Sequence, residues 1–169
     1  MDLTRNILNK WFTKLASRKN LNLTYENLNS IEESTFKGLI NLVELDLSRN
    51  HLFVLPKYIF RDLSSLKSLN LNKNDLISLP EDIFSDLSSL FYLYLESNQL
   101  ETLPDTIFHP LISLREVSLS KNQLIYLSED AFLSTSILID LSGNKFTAEK
   151  YEFFELYYAS GEGKGNNFF

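Results

Sequence analysis

The sequence predicts a single α/β solenoid, in which one short strand per turn repeats along the chain and helical segments close both ends. Three observations carry this prediction. Apolar residues recur at a fixed step of 24 positions, short segments alternate between apolar and polar residues, and amphipathic stretches lie at the two ends of the chain. A constant period between ~20 and ~50 residues is typical of solenoids, whose turns bury their apolar faces by stacking on one another.

The 24-residue step holds in many columns of the sequence at once. The leucine columns predict a continuous core, the phenylalanines fill the far side of the coil, and the asparagine amides are expected to bind backbone groups left unpaired at each bend. The clearest columns are Leu45, Leu69, Leu93 and Val117; Asn50, Asn74, Asn98 and Asn122; and Phe36, Phe60, Phe84, Phe108 and Phe132.

Each unit reads L-x-x-L-x-L-x-x-N-x-L-x-x-L-P-x-x-x-F-x-x-L, and the units extend over residues 20–146. This pattern resembles the leucine-rich repeat, and within that family the 24-residue class. The resemblance implies a curved parallel β-ladder of about six strands on a concave face. It also implies looser turns on the opposite, convex face.

Both ends of the repeat need caps, because the outermost turns would otherwise expose their cores. Residues 1–19 place apolar side chains on one helix face, and a shift of one period puts Phe12 at the position of Phe36, so we expect an N-terminal capping helix. The basic residues of this segment leave membrane-surface binding or organelle targeting as an alternative. Residues 147–160 predict a C-terminal capping helix, and residues 161–169 a flexible tail.

The composition argues against several classes of function. The 169 residues include no cysteine, which excludes disulfides, thiolate zinc sites and cysteine nucleophiles. A net charge of −6 argues against nucleic-acid binding. No apolar run is long enough to span a membrane, and the N-terminus lacks the apolar core of a signal peptide.

The sequence does not predict an enzyme or a cofactor. His51 and His109 belong to different repeats without metal-ligand spacing, and no phosphate-binding loop occurs. Glu96 and Glu116 are a conceivable pair of catalytic carboxylates, but an open ladder offers no pocket that would exclude water and raise one pKa. We therefore expect a non-enzymatic protein.

The termini distinguish this sequence from the best-known extracellular members of the family, which usually carry cysteine-rich caps and a signal peptide. Because both are absent, the sequence is similar to the short, cysteine-free leucine-rich repeat effectors of intracellular bacteria. This resemblance implies an intracellular, cytoplasmic protein, with secretion into a host cell as a further alternative.

The strand alternation predicts which side chains line the concave face. Its outward positions carry acidic residues and no basic one. Tyr92 and Tyr94, between small polar neighbours, are expected to stand out at its centre, and tyrosine is a frequent anchor of interfaces. The alternative is that these rings only cover the leucines beneath them. The candidate partner-binding residues on the face are Tyr92, Tyr94, Glu96, Glu116, Glu44, Asp46 and Asn70. The candidates at the edge where the chain leaves the strands, here called the leaving edge, are Arg49, Lys73 and Lys121.

The concave face alone is small for a stable interface. Six strands ~4.8 Å apart form a strip ~24 Å long. Such a strip exposes ~300 Å², whereas a standard interface buries ~800 Å² per partner. We therefore expect a protein partner that also touches the flanks, bound by a monomer or in a 1:1 complex, with this protein as its binder or inhibitor. The alternative is a structural or carbohydrate-binding repeat protein.

Overall fold

The structure is a computed structural model that describes residues 1–128, 131–132 and 137–147. Two helical segments occur in this part, α1 (Arg5–Trp11) and a 3-10 helix (Leu15–Ser17). The strands are β1 (Asp2–Leu3), β2 (Asn20–Asn22), β3 (Ser30–Ile31), β4 (Glu44–Asp46), β5 (Ser68–Asn70), β6 (Tyr92–Tyr94), β7 (Glu116–Ser118) and β8 (Leu138–Asp140).

Six of these strands form one parallel ladder in the order β2-β4-β5-β6-β7-β8. Leu45 pairs with Leu69, and Leu93 pairs with Val117, so the register advances by 24 residues per turn. Val117 pairs with Ile139, which shortens the last step to 22 residues. The predicted solenoid with a ladder of about six strands is therefore confirmed.

The core lies between this ladder and the convex side of the coil. The inward strand residues are buried in every turn, and the phenylalanine column is buried on the far side. The rings of Phe60, Phe84 and Phe108 stack with centroids 6.4 and 6.5 Å apart, and Phe132 follows at 4.7 Å. Each apolar layer thus packs against the equivalent layers of the neighbouring turns.

The asparagine column joins successive turns at the bends. The side-chain amide of Asn98 donates to the carbonyl groups of Leu71 and Leu95, both at 3.0 Å. Its side-chain oxygen accepts the N–H of Leu76 at 3.1 Å. The predicted structural role of this column is confirmed, because the same three contacts recur at Asn50, Asn74, Asn122 and Asn144.

The N-terminal segment differs from the single capping helix expected over residues 1–19. It starts with β1, which pairs in parallel with β3 so that Leu3 lies opposite Ile31. The α-helix covers only Arg5–Trp11 and is followed by the short 3-10 helix. Leu3 fills the core column of Ile31 in extended backbone, which a helix beginning at the first residue could not do.

The pairing of β1 also corrects the predicted alignment of Phe12 with Phe36. Leu3 and Ile31 are 28 residues apart rather than 24, so the 24-residue step that puts Phe12 at the position of Phe36 does not hold at β1. Accordingly, Leu8 is fully buried, whereas Phe12 is half-buried against the edge of the core. The predicted closing helix over 147–160 and the tail over 161–169 lie outside the described residues, apart from Thr147. None of the described helices is long and apolar enough to cross a membrane.

Candidate functional site

Two tyrosines of β6 lie at the centre of the concave face. Tyr92 is paired with Ser68 and Glu116, and Tyr94 with Asn70 and Ser118, as the register predicts. The two rings are parallel to within 1°, and their centroids are 6.5 Å apart. Both side chains are half-buried. Each ring is therefore partly covered by the other and still reaches solvent.

A third aromatic ring, that of Phe91, lies beside Tyr92 at the edge where the chain enters the strands of the ladder. It is perpendicular to the Tyr92 ring, with the centroids 6.3 Å apart. The Arg115 guanidinium lies 4.3 Å from the centre of the Phe91 ring and the Lys67 ammonium 5.5 Å from it. These cation–π contacts restrain the edge of the site. The predicted set of site residues missed this group.

Two glutamates beside the tyrosines have different surroundings. Glu96 accepts a hydrogen bond from the Lys121 ammonium at 2.8 Å, and this bond and the Glu96 charge raise the pKa of Lys121. Glu116 belongs to none of the three ion pairs among the described residues. Burial, then the Glu116 charge and Tyr92, raise the pKa of Tyr94. The Tyr94 hydroxyl thus remains a hydrogen-bond donor at neutral pH.

The other predicted site residues lie nearer the N-terminal end of the face or on its edge. The Asn70 amide donates to Asp46 at 3.3 Å, and Asp46 also accepts the N–H of Ser48 at 2.8 Å. Glu44 is exposed on the neighbouring position of β4. Arg49 lies over the ring of Tyr25, 5.1 Å from its centre. The structure thus brings Tyr92, Tyr94, Glu96, Glu116 and Lys121 together, and leaves Glu44, Asp46 and Asn70 as a second group with Arg49 and Lys73 on the leaving edge.

Tyr94 separates two open hollows of the concave face. The larger has a volume of ≈ 460 Å³ and extends from Tyr94 towards β8. The smaller has a volume of ≈ 190 Å³, extends from Tyr94 towards β2 and includes Glu44, Asp46 and Asn70. The larger hollow is lined by Asn72, Tyr94, Glu96, Glu116, Val117, Ser118, Leu138, Ile139 and Asp140.

Six residues of the larger hollow are absent from the predicted site: Asn72, Val117, Ser118, Leu138, Ile139 and Asp140. The signal for Leu138 was present, since it is an apolar residue at an outward strand position, and its exposed fraction is 41%. The role of Asn72 could not be read from the pattern. Its side-chain oxygen accepts the N–H of Glu96 at 2.6 Å, a contact between adjacent turns of the coil.

The rest of the described surface offers weaker candidates. A hollow of ≈ 550 Å³ on the convex side is lined by both acidic and basic side chains around Tyr58. Among the residues that the structure describes, no group of histidine, cysteine, aspartate or glutamate could hold a metal ion. The concave face is therefore the candidate site, as a binding surface with an aromatic centre.

Comparison with known proteins places the chain in a family. The leucine rich repeat family matches residues 2–52, 40–100 and 93–146, and these segments together extend from residue 2 to residue 146. The chain therefore belongs to the leucine-rich repeat family, as the repeat pattern predicted. No protein with a curated description matches it at a significant level.

Two solved structures show what the chain is similar to. A chain of the LRIM1/APL1C complex superposes with a TM-score of 0.79 at 26% sequence identity, over 86% of this chain and 26% of that chain. The APL1 leucine-rich repeat domain gives a TM-score of 0.78 at 26% identity, over 87% of this chain and 38% of that chain. The chain thus spans well under half the length of either structure.

Proposed function

We propose that this protein is a non-enzymatic protein-binding module that holds its partner on the concave face, with Tyr94 at the centre of the contact. The observation that carries the proposal is the half-buried tyrosine pair, placed between two open hollows on a sheet face. Tyrosine supplies large contact area with few torsions to immobilise, and such residues at the centre of an interface provide much of its binding energy.

The leaving edge supplies the remaining contact area. A face of ~300 Å² is too small for a standard interface of ~800 Å² per partner. Lys73 and Lys121 are exposed directly beside the face, and Arg49 lies one turn before Lys73. The partner therefore extends over this basic edge, and we propose that it is another protein bound as a 1:1 complex.

The family and its structural neighbours support a protein partner. One of the similar structures is the LRIM1/APL1C complex. We also propose that the protein acts inside cells, as an inhibitor of its partner or as an effector secreted into a host cell. The absence of cysteine supports this location, since disulfides are typical of extracellular proteins.

A carbohydrate ligand is the second candidate. The specific observation in its favour is the aromatic pair of Tyr92 and Tyr94 beside polar Asn70 and Ser118, because sugars pack on aromatic rings and accept hydrogen bonds from amides and hydroxyls. The purely structural alternative has no such observation, since it would leave both hollows without a role.

A crosslinking experiment tests the proposal. The photoreactive amino acid p-benzoylphenylalanine is placed at position 94 in one variant and at the exposed position 102, away from the concave face, in the matched control. After illumination in a cell lysate, we expect one protein to be crosslinked from position 94 and not from position 102. A protein that crosslinks equally from both positions, or from position 102 alone, would contradict the concave site. Selective binding of a glycan with no protein crosslink would favour the carbohydrate alternative.

A further inference from the structure

We infer that the larger hollow receives an arginine side chain of the partner, flanked in the partner by an apolar residue. This inference rests on the proposed function and specifies the chemistry that the concave face recognises. It depends on three features of the hollow: a carboxylate that forms no ion pair with any residue the structure describes, an aromatic ring, and an exposed leucine at an outward strand position.

The charges of the hollow favour a cationic occupant. Three carboxylates line it, from Glu96, Glu116 and Asp140. Lys121 neutralises Glu96 through the 2.8 Å ion pair, while Glu116 forms no ion pair with any described residue. Asp140 uses one oxygen to accept the N–H of Ser142 at 3.0 Å. A bound cation would therefore find one carboxylate free and a second only partly used.

The geometry favours a guanidinium over an ammonium. Glu116 and Asp140 are diagonal neighbours on the paired strands β7 and β8, at positions that lie ~7–8 Å apart. A planar group with several donors can contact both carboxylates, whereas a lysine ammonium acts as a point charge. The Tyr94 ring forms one side of the same hollow, and arginine packs well against aromatic faces.

The apolar part of the hollow is the reason to expect an apolar residue next to the arginine in the partner. Leu138 is 41% exposed beside the buried Val117 and Ile139. An arginine can lay its aliphatic stem along such a surface while its charged end reaches the carboxylates. Leu138 remains partly uncovered at the rim, where an adjacent apolar residue of the partner would shield it from water.

The smaller hollow shares the Tyr94 ring and has, in Glu44, a carboxylate outside the three ion pairs of the described residues, but it has no exposed leucine. Asp46 is already occupied by the Asn70 amide and the Ser48 N–H. Its volume of ≈ 190 Å³ is less than half that of the larger hollow, and its outward strand residues are polar apart from Tyr94. The occupant of the larger hollow is thus not expected to bind in both places.

The test uses peptides as probes. Random 12-residue peptides displayed on phage are selected on the immobilised protein, and those whose binding is lost on the Tyr94→Ala variant are synthesised. We expect an arginine next to an apolar residue in these peptides. Replacing that arginine by citrulline, which keeps the shape and removes the charge, should weaken binding to the wild-type protein at least tenfold.

A double-mutant cycle, which combines variants of the protein and of the peptide, tests whether the peptide arginine contacts Glu116. Glu116→Gln should also weaken binding of the arginine peptide at least tenfold. On this variant the loss caused by citrulline should shrink to about threefold or less, because the guanidinium then keeps only the Asp140 carboxylate. Glu101→Gln, which removes an exposed carboxylate outside the concave face, should change the affinity by less than twofold. The urea midpoints of both variants verify that they are folded.

Two outcomes would overturn the inference, and they can be told apart. If Tyr94-dependent peptides carry no arginine, or bind equally well with citrulline, the hollow does not recognise a guanidinium, although the concave binding site remains. If no selected peptide depends on Tyr94 and crosslinking from position 94 also fails, the proposed function fails together with the inference.

Discussion

Asn98 illustrates how a single side chain holds two turns of the coil together. It is almost fully buried, and it satisfies two carbonyl groups and one N–H group of the bend. A buried backbone group that loses its partner costs about 1–3 kcal/mol of folding free energy. Since five bends share this arrangement, the column links each turn of the ladder from β4 to β8 to its neighbour.

We predict that Asn98→Ala lowers the free energy of unfolding by about 1–3 kcal/mol, because the buried N–H of Leu76 loses its partner. The carbonyl groups of Leu71 and Leu95 each lose one of two donors and keep the amides of Asn74 and Asn122. Urea denaturation followed by circular dichroism measures the change. Gln99→Ala is the matched control: Gln99 is exposed, and its side-chain amide donates to the partly exposed Asp75 at 3.1 Å, so its loss should cost less than about 0.5 kcal/mol. Equal urea midpoints for the two variants would contradict the role of the column.

Each bend also holds a residue in left-handed backbone conformation immediately before the asparagine. Lys73 has a φ of 55°, and Arg49, Ser97 and Lys121 have φ values between 53° and 57°. Glycine adopts this conformation without the steric cost that other residues incur. Gly143, at the equivalent position of the last turn, has a φ of 68°.

We therefore predict that Lys73→Gly is about 0.5–1 kcal/mol more stable than Lys73→Ala, against the usual ranking of these two residues. Both variants remove the same side chain, so the difference isolates the backbone strain. Thermal or urea unfolding of the pair measures it. The opposite order would show that the bend tolerates alanine without strain.

The pKa of Tyr94 gives a prediction about alkaline pH. Because burial and Glu116 raise this pKa in the folded chain, the unfolded chain loses the phenol proton first as the pH rises. Folding stability should therefore fall as the pH rises above about 10, the ordinary tyrosine value. Tyr94→Phe should fall less steeply than the wild type between about pH 9 and pH 11. Parallel stability curves for the two proteins would contradict the raised pKa.

Among the elements, the N-terminal segment was the hardest to predict. The ladder strands recur, so each register is fixed by several equivalent columns, and even the 22-residue step to β8 is visible in the sequence. The segment of β1 and α1 occurs once, and its 28-residue offset has no second copy to reveal it. The spacing of its apolar residues predicts one continuous helix, whereas Leu3 lies in the extended β1 and Leu8 in α1.

This segment should contribute to stability through its buried leucines. Leu8→Ala should lower the free energy of unfolding by about 2–4 kcal/mol, because it leaves a cavity over the first turn of the core. Asn9→Ala, at the exposed next position, should change it by less than about 0.5 kcal/mol. If both variants unfold at the wild-type midpoint, the segment is not part of the folded unit.

In the site, too, the sequence predicts the features that follow from the repeat but not those that depend on individual side-chain conformations. Strand alternation correctly assigned Tyr92 and Tyr94 to the concave face and gave their cross-strand neighbours. It could not give the contacts of Asn72 with Glu96 or of Arg115 with Phe91, because these depend on side-chain conformations at the bends and edges. The two hollows on either side of Tyr94 were likewise invisible in the sequence.

For the whole molecule, the charge distribution sets the expected behaviour towards a partner. The net charge is −6, the outward strand positions carry acids, and the basic residues Lys73 and Lys121 lie on one edge. Such a distribution orients a partner whose basic group faces the ladder and whose acidic groups face the edge. The binding energy itself is expected to come from the aromatic centre.

The most direct test of this account compares the affinity of Tyr94→Ala for the crosslinked partner with its stability to urea. Tyr94 points away from the leucine core, so its truncation should lower the free energy of unfolding by only about 1 kcal/mol or less. If Tyr94 anchors the partner, the affinity should fall at least thirtyfold, which corresponds to about 2 kcal/mol. Wild-type affinity in a folded Tyr94→Ala variant would contradict the account and place the binding site away from the concave face.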